Sequence, residues 1–188
     1  MPPDTSLQPE TKSLIVLVGL MGSGKTAVGR ELAQFLHINF SDSDELVEKR
    51  AKLSVREIFA ELGEPEFRRL ETEALTVACA STEPTVLAVA GGAVVAESNR
   101  NLLAQCARCI VWLDAPTSTL VARTGRAKHR PLLDADPVGA LTTMRSKRET
   151  FYRQLATHKI ATQSLTIAQV VEDVVKMCDL ANIVSANQ

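Results

Sequence analysis

A short apolar run that ends in a glycine-rich loop constrains the fold of this chain more than any other feature. Residues 13–19 have the sequence SLIVLVG, and the loop from Gly19 to Thr26 has the sequence GLMGSGKT, which matches G-x-x-x-x-G-K-[ST]. The apolar run is typical of a strand that is buried on both faces. Apolar residues then recur at helical spacing at Val28, Leu32, Phe35 and Leu36. The sequence therefore predicts a strand, a phosphate-binding loop and a helix, in that order.

The glycine-rich loop has the residues that a nucleotide phosphate site needs. Its glycines allow backbone N–H groups to point at phosphate oxygens, and the N-terminus of the following helix adds its dipole. Lys25 is expected to reach the β- and γ-phosphates, and the Thr26 hydroxyl to bind Mg²⁺. A chance glycine-rich turn is the alternative, but the predicted strand and helix on either side favour a phosphate site. The loop does not indicate which molecule accepts a phosphoryl group.

The rest of the chain alternates predicted strands with predicted helices. Further strands are expected in the segments INFSDSD, TVLAVA, CIVWLD and HKIAT. Helices are expected from the capping box Ser54-x-x-Glu57 to Gly63, from Pro65 onwards, from Asp136-Pro137 onwards, and along an amphipathic stripe from Ile167 to Cys178. This alternation is typical of a layered α/β fold with a mainly parallel sheet.

Composition and charge place the chain among single-domain globular proteins. It has 188 residues, of which 45% are hydrophobic, and a net charge of −1. A chain so nearly neutral has no global attraction to nucleic acid or to anionic membranes, and no apolar run approaches the about 18 residues that a membrane helix needs. Residues 1–12 lack a signal-peptide pattern and are expected to be a disordered tail. Residues 13–188 are expected to form one cytoplasmic domain.

The four cysteines are expected to be free thiols. Cys106 and Cys109 have C-x-x-C spacing, which also occurs in redox pairs and in halves of zinc sites, but no second C-x-x-C is present. Cys109 leads directly into the apolar run CIVWL. Buried or half-buried thiols are therefore predicted at Cys79, Cys106, Cys109 and Cys178.

Two carboxylates follow the second predicted strand. In FSDSDE, Asp42 and Asp44 lie two residues apart, so in a strand they would project to the same side. In a phosphoryl-transfer enzyme, one carboxylate would hold Mg²⁺ and the other would orient or deprotonate an acceptor hydroxyl. The alternative is that Asp42 or Ser43 only caps the helix that follows. The residues themselves leave both interpretations open.

Cationic residues of possible function occur at three further places: at Arg68, in the segment 121–136 and at Arg148. Arg68 lies one helical turn before Glu71, a spacing that allows an ion pair on a helix face. The segment 121–136 contains the sequence RPLL and the cationic residues Arg123, Arg126, Lys128 and Arg130. It is either a solvated basic loop or a mobile lid that closes on phosphates. Arg148 lies on the predicted long helix and is expected to face the cleft that such a lid would cover.

Two adjacent glycines interrupt the apolar run VLAVAGGAVV. Gly91 and Gly92 have no side chain to pack, so they indicate either a tight corner or a backbone surface that a ligand approaches closely. Parallel α/β sheets bind ligands outside the carboxyl ends of their strands. Because the glycines follow a predicted strand, the second interpretation is favoured.

Taken together, these motifs resemble the shikimate kinase family over nearly the whole chain from Ser13 onwards. The matching segments, in family order, are GLMGSGKT, DSD, FRRLE, AGGAVV, RTGRAKHRPLL and KRETFY. The resemblance implies a three-layer α/β/α P-loop kinase fold of the nucleoside-monophosphate-kinase type, with five parallel strands in the order 2-3-1-4-5. It also implies a substrate-binding region at residues 42–75, a mobile lid at 121–136 and a monomer.

The resemblance further implies an activity and a set of roles. The γ-phosphate of ATP would be transferred, with Mg²⁺, to the 3-hydroxyl of shikimate, a step of chorismate and aromatic amino acid biosynthesis. Catalytic roles fall to Lys25, Asp44 and Arg130, and metal binding to Thr26 and Asp42. The nucleotide would contact Gly22, Ser23, Gly24, Lys25, Thr26, Ala27, Arg123, Arg130 and Gln163. Shikimate would contact Asp44, Arg68 (steadied by Glu71), Gly91, Gly92, Arg130 and Arg148.

The chain departs from the family pattern at two places. Val89 and Ala90 stand where members usually have a hydroxyl residue and a further glycine, and the turn ATQSLTIAQ lacks an Asp and a Pro often found near the adenine. The added methyl of Ala90 matters only if that residue needs a positive φ or lies against the substrate ring. Two alternatives are a related small-molecule kinase, such as gluconate kinase, and a nucleotide-binding homologue without turnover.

Overall fold

The computed structural model describes residues 13–124 and 136–181. In these ranges the strands are β1 (Leu14–Val18), β2 (Asn39–Asp42), β3 (Thr85–Ala88), β4 (Ala107–Asp114) and β5 (His158–Ala161). The α-helices are α1 (Lys25–Leu36), α2 (Ser43–Ala51), α3 (Val55–Glu57), α4 (Gly63–Ala80), α5 (Glu97–Cys106), α6 (Thr117–Thr124), α7 (Pro137–Leu155) and α8 (Ile167–Met177). A π-helical turn (Ile58–Leu62) follows α3, and a 3-10 turn (Ala93–Val95) precedes α5. None of the helices in these ranges is both long and apolar enough to span a membrane.

The strands form one parallel sheet in the order β2-β3-β1-β4-β5. β1 lies at its centre, and all five of its side chains are apolar and buried, as expected for a strand covered on both faces. The predicted α/β class and the strand order 2-3-1-4-5 are therefore confirmed. Parallel pairing brings the carboxyl ends of all these strands to one edge of the sheet, where the glycine-rich loop leaves β1.

The side chains of β1 alternate between two apolar layers. Val16 and Val18 pack on one face with residues of α4, α5 and α7. Ile15 and Leu17 pack on the other face with residues of α1 and α8. Since successive strand residues point to opposite faces, one central strand supports both helical layers, and the fold has three layers.

A separate small core supports the helices between β2 and β3. It contains Val47 of α2, Ile58 of the π-helical turn and Phe67 of α4. The predicted capping box opens α3, since the Glu57 carboxylate accepts a hydrogen bond from the Ser54 N–H at 2.7 Å and the Ser54 hydroxyl accepts one from the Glu57 N–H at 3.2 Å. This region therefore packs as a unit beside the end of β2 and holds α4 in place.

Several local predictions need correction. α5 and α6 were not predicted, and residues 121–124 of the predicted lid belong to helix α6, while residues 125–135 lie outside the described ranges. α4 begins at Gly63 and not at Pro65.

Two apolar residues are more exposed than predicted. Phe35 and Ile167, counted in apolar stripes, are 50% and 47% exposed. Phe35 lies about a quarter turn from the centre of the buried face of α1, and Ile167 is the first residue of α8.

The expectation of four free thiols is wrong for one pair. Cys79 at the end of α4 and Cys106 at the end of α5 form a disulfide, with Cα atoms 5.5 Å apart. Cys109 and Cys178 are buried free thiols, as predicted. The two helices pack against each other and bring together cysteines that are 27 residues apart, a contact that local C-x-x-C spacing does not indicate.

Candidate active site

A cleft of about 750 Å³ lies at the carboxyl ends of the strands. Its walls come from the glycine-rich loop, the β2–α2 junction, α4, the segment after β3, α6, α7 and the connection between β5 and α8. The predicted site residues that line it are Gly22, Ser23, Gly24, Lys25, Thr26, Ala27, Asp42, Asp44, Arg68, Gly91, Gly92, Arg123 and Arg148. Motifs that are scattered along the chain therefore meet in one cavity.

The glycine-rich loop takes a conformation that needs glycine at defined positions. Gly22 and Gly24 have φ values of 81° and 99°, which L side chains rarely adopt. At Gly22 a Cβ would also lie 2.8 Å from Cγ2 of Thr124. Gly24 is the N-cap of α1 and offers no side-chain cap, so the first turn of this helix is left to interact with a ligand. The Lys25 ammonium donates to the carbonyl oxygen of Gly19 at 2.9 Å.

Asp42 connects the loop to the next strand. It ends β2 and caps α2, since its Oδ1 accepts a hydrogen bond from the N–H of Asp44 at 3.0 Å. Its Oδ2 accepts a hydrogen bond from the Thr26 hydroxyl at 2.8 Å. The capping alternative is therefore correct, and it does not exclude the other one, because the same carboxylate also lines the cleft beside Thr26.

Asp44 reaches the cleft from a helix and not from a strand. β2 ends at Asp42, and Asp44 lies in the first turn of α2. The expectation that both carboxylates project from one side of a strand is therefore wrong. Asp44 lines the cleft nevertheless, because the chain turns into α2 directly after Asp42.

Ser43, between the two carboxylates, has a contact that the sequence did not reveal. Its side chain is fully buried, and its hydroxyl accepts a hydrogen bond from the N–H of Ala90 at 2.8 Å. This bond joins the start of α2 to the segment after β3. The D-x-D motif and the glycine segment are therefore held together by a residue that neither motif marks as functional.

Arg68 and Glu71 form the predicted ion pair inside the cleft. Arg68 Nη1 lies 3.3 Å from Oε2 of Glu71, and Arg68 Nη2 lies 3.0 Å from Oε1 of Glu64. The Glu71 side chain is 1% exposed, whereas that of Arg68 is 35% exposed. Burial raises the pKa of Glu71 from its ordinary 4.5 to about 7, an effect that Arg68 opposes. The buried carboxylate thus fixes a guanidinium that keeps access to the cleft.

The two adjacent glycines are needed for space and not for a special backbone conformation. Neither Gly91 nor Gly92 has a positive φ. A Cβ at Gly92 would lie 2.8 Å from Nη1 of Arg68, and a Cβ at Gly91 would lie 3.0 Å from the carbonyl oxygen of Gly19. Residues 91–92 also form a turn, and the groups that approach their backbone belong to the protein itself, so the ligand-binding surface stays a prediction. Ala90 has no positive φ either, so its methyl group causes no backbone strain.

α7 supplies Arg148 to the same region. Tyr152, one turn further along α7, donates its hydroxyl hydrogen to the carbonyl oxygen of Gly91 at 2.7 Å. One turn before Arg148, the Arg145 guanidinium lies 3.1 Å from Oδ1 of Asp114 at the end of β4. The sequence did not reveal either anchor, because both depend on how α7 packs against distant strands.

At the other end of the cleft, Arg123 is held by the segment after β5. Its guanidinium donates to the Thr162 hydroxyl at 3.0 Å and to the Thr162 carbonyl oxygen at 2.8 Å. Thr162 and Leu165 line the cleft, but Gln163, between them, is exposed and is not one of the lining residues. Arg130, the predicted lid arginine, lies outside the described ranges.

A strand, a phosphate loop and a helix at the carboxyl edge of a parallel sheet, with two aspartates and three arginines lining the adjoining cleft, define a P-loop kinase. The family model described as Shikimate kinase matches residues 21–179 of the chain. The protein belongs to the shikimate kinase family and is an enzyme of the kinase class. The family uses ATP as a substrate.

Individual relatives agree with this assignment. A shikimate kinase of Symbiobacterium thermophilum is 45% identical over 165 residues, which cover 86% of this chain and 94% of that protein. The structure of shikimate kinase from Acinetobacter baumannii in complex with shikimate has a TM-score of 0.85 at 36% identity, covering 92% of this chain and 96% of that chain. A gluconokinase from Sinorhizobium meliloti, at 21% identity and a TM-score of 0.62, shares the fold alone.

Proposed function

We propose that the protein transfers the γ-phosphate of ATP to the 3-hydroxyl of shikimate and releases shikimate 3-phosphate and ADP. The observation that carries this proposal is a single cleft that is lined by the phosphate loop, by Asp44 and by Arg68 and Arg148. Shikimate is a small carboxylate with several hydroxyl groups. Its recognition needs cations that match a carboxylate and acceptors for hydroxyl groups.

On the nucleotide side, the phosphate loop positions the group to be transferred. We assign the β- and γ-phosphates to the backbone N–H groups of residues 22–27 and to Lys25, whose ammonium exchanges its carbonyl acceptors for phosphate oxygens. Arg123 and Gln163 contact the nucleotide near the adenine in this assignment. The first turn of α1 adds its dipole to the attraction.

Thr26 and Asp42 are the residues that would hold Mg²⁺. Their oxygens are 2.8 Å apart at the mouth of the phosphate loop, and hydroxyl and carboxylate oxygens are the ligands that Mg²⁺ takes. Within residues 13–124 and 136–181, no cluster of three or more His, Cys, Asp or Glu side chains is suited to a metal. This agrees with an ion that is held by few side chains and by substrate phosphates. When bound, Mg²⁺ neutralises charge that develops on the phosphoryl oxygens.

On the acceptor side, we assign Asp44 to the 3-hydroxyl as the base or orienting acceptor. Arg68 and Arg148 bind the carboxylate, because a guanidinium fork matches two carboxylate oxygens. The backbone of Gly91 and Gly92 forms the surface on which the ring lies. These groups are half-buried in the cleft, and partial exclusion of water strengthens each charged hydrogen bond relative to bulk water.

Three further assignments rest on the sequence. Arg130, in the part of the predicted lid that follows α6, is assigned to the transferring phosphoryl group and to shikimate. The 42–75 region forms the acceptor side. The protein acts as a cytoplasmic monomer without a nucleic-acid or membrane partner, which agrees with its net charge of −1.

Release of ADP tests the proposal. Purified protein with ATP and Mg²⁺ is assayed with shikimate, with gluconate and without an acceptor. We expect release that depends on shikimate alone. Release that depends on gluconate would favour a gluconate kinase, and ADP binding without any acceptor-dependent release would indicate a nucleotide-binding homologue without turnover. Either result would overturn the proposal.

A further inference from the structure

Tyr152 connects two parts of the acceptor side. Its hydroxyl donates a hydrogen bond to the carbonyl oxygen of Gly91 at 2.7 Å, and it lies four residues after Arg148 on α7. A Cβ on Gly91 would be 3.2 Å from the Tyr152 hydroxyl oxygen and 3.6 Å from Nη1 of Arg148. The glycine surface, the phenol and the guanidinium therefore converge on one point of the cleft wall.

The phenol is placed to act as a fixed donor. Tyr152 is 1% exposed, and its ring stacks on Trp112 with centroids 5.8 Å apart. Burial raises the pKa of the Tyr152 hydroxyl, and this effect outweighs the opposite influence of the nearby Arg148 guanidinium. The hydroxyl therefore keeps its proton over the pH range of an enzyme assay and continues to donate to Gly91.

On α7, a residue on each side of Arg148 contacts another part of the protein and holds the helix in place. Arg145, three residues earlier, pairs with Asp114 at 3.1 Å and also donates to the carbonyl of Ala115. Tyr152 supplies the second anchor on the same side of the helix, since residues three and four apart share a helix face. Both the helix and the groups around Arg148 are thus held in a defined position.

Removing the phenol hydroxyl would change what Arg148 contacts. The carbonyl of Gly91 would lose its donor in a partly buried place, and a carbonyl in that position takes up another donor where it can. The Arg148 guanidinium lies close to this point, since its Nη1 would be 3.6 Å from a Cβ on Gly91. It would turn towards the carbonyl and away from a carboxylate in the cleft.

We propose that Tyr152 is a positioning residue for acceptor recognition: by occupying the Gly91 carbonyl, its hydroxyl keeps Arg148 available for the carboxylate of the acceptor. This inference rests on the proposed function, because it concerns the group that Arg148 binds. Tyr152 itself does not touch the substrate in this account. Its hydroxyl therefore affects the affinity for the acceptor and leaves the affinity for the nucleotide unchanged.

The test compares Tyr152→Phe with Trp112→Phe in steady-state kinetics. Tyr152→Phe keeps the stacked ring and removes only the hydroxyl. We expect the KM for shikimate to rise about tenfold, which corresponds to about 1.4 kcal/mol, while the KM for ATP stays within about twofold. Trp112→Phe loosens the same stack but keeps the hydroxyl, so it lowers the Tm and leaves the KM for shikimate unchanged.

A shikimate analogue with a carboxamide in place of the carboxylate separates this role from a general loss of packing. Tyr152→Phe and the wild type should use the analogue equally well, because the carboxylate contact is absent in both. A KM for shikimate within twofold of the wild type, or an equal rise for shikimate and the analogue, would overturn the inference while leaving the proposed function intact. A wild-type enzyme without shikimate turnover would overturn both.

Discussion

The proposed function divides the cleft into a nucleotide side and an acceptor side, and glycine is needed on each for a different reason. On the nucleotide side, Gly22 and Gly24 have φ values of 81° and 99°, so the backbone conformation itself requires glycine. On the acceptor side, Gly91 and Gly92 have ordinary φ values, and glycine is needed because Arg68, Tyr152 and the Gly19 carbonyl crowd the missing side chains. One requirement is local and the other depends on packing.

The two sides also differ in how they are assembled. The phosphate loop is one uninterrupted segment, so its neighbours in sequence define most of its shape. The acceptor side takes Asp44 from α2, Arg68 from α4, and Arg148 from α7. A substitution on the acceptor side should therefore change the handling of shikimate and leave nucleotide binding intact.

The largest effect is expected for Asp44→Asn. The amide keeps the shape of the side chain but cannot accept a proton, so kcat should fall about 10³-fold. The Kd for ADP should stay within about twofold, since Asp44 belongs to the acceptor side. Steady-state kinetics and ADP titration measure both quantities.

Lys25→Ala is the matched control from the nucleotide side. It should weaken ADP binding and turnover together, because Lys25 belongs to the phosphate loop. Equal losses of turnover and ADP affinity in Asp44→Asn would remove Asp44 from its assigned role.

The next effect concerns Glu71 and pH. Its folded pKa of about 7 lies above the ordinary 4.5, so the folded protein holds a proton that the unfolded chain releases between these values. The free energy of unfolding should therefore fall as the pH rises from 4.5 to 7, on the order of 3 kcal/mol for this group. Glu71→Gln should lack this component when urea denaturation is compared at pH 5 and pH 8.

Glu66→Gln is a control on the same helix. The Arg69 guanidinium holds the pKa of Glu66 below its ordinary value, so this carboxyl does not titrate between pH 5 and pH 8. The variant should keep the wild-type pH dependence. If Glu71→Gln also keeps it, the buried carboxyl does not carry the raised pKa.

The disulfide between Cys79 and Cys106 encloses β3 and the glycine segment, and we expect it to stabilise the folded protein. Closing a loop of this length restricts the unfolded chain by about 2 kcal/mol or more. The oxidised protein should therefore resist urea more than the protein in dithiothreitol, and its Kd for ADP should not change. Cys79→Ser should abolish the difference between the two conditions.

Cys178→Ser serves as the control, because Cys178 is a buried free thiol. It should retain the stabilisation by oxidation. The prediction is contradicted if Cys79→Ser responds to dithiothreitol as the wild type does.

Two glycine variants test whether the nucleotide side and the acceptor side are separable. We expect about a tenfold change in the Kd for ADP in one and in the KM for shikimate in the other. Gly22→Ala should raise the Kd for ADP, because it combines a positive φ with a Cβ 2.8 Å from Thr124. Gly92→Ala should raise the KM for shikimate, since its Cβ displaces the Arg68 guanidinium, and should leave the Kd for ADP unchanged. A Gly92→Ala variant with equally weakened ADP and shikimate binding would show that the two sides are not separable.

The smallest effect is expected for Ala90→Gly. Ala90 has no positive φ, and its N–H is already held by Ser43 at 2.8 Å. Restoring the family's glycine should leave the KM for shikimate within twofold and lower stability by about 0.5–1 kcal/mol through added backbone freedom. A sharp fall in KM would mean that the methyl group of Ala90 hinders the acceptor.

Much of the fold and the candidate site could be predicted from short segments. The β1 run, the loop up to Thr26 and the Asp136-Pro137 helix start are local patterns, and the structure has each of them. The family resemblance supplied the strand order, which no local pattern contains. α5 was missed because its apolar face is narrow, with Asn99 and Leu103 as its buried residues.

The sequence by itself determined which chemical groups the protein has and where the glycine-rich loop bends, because both depend on residues that are neighbours in the chain. Only the tertiary structure decided how those groups are held. Ser43 meets Ala90 across 47 residues, and Tyr152 meets Gly91 across 61. Such contacts depend on how helices pack on the sheet, and packing depends on the shape and volume of the whole core. No short pattern in the chain specifies them.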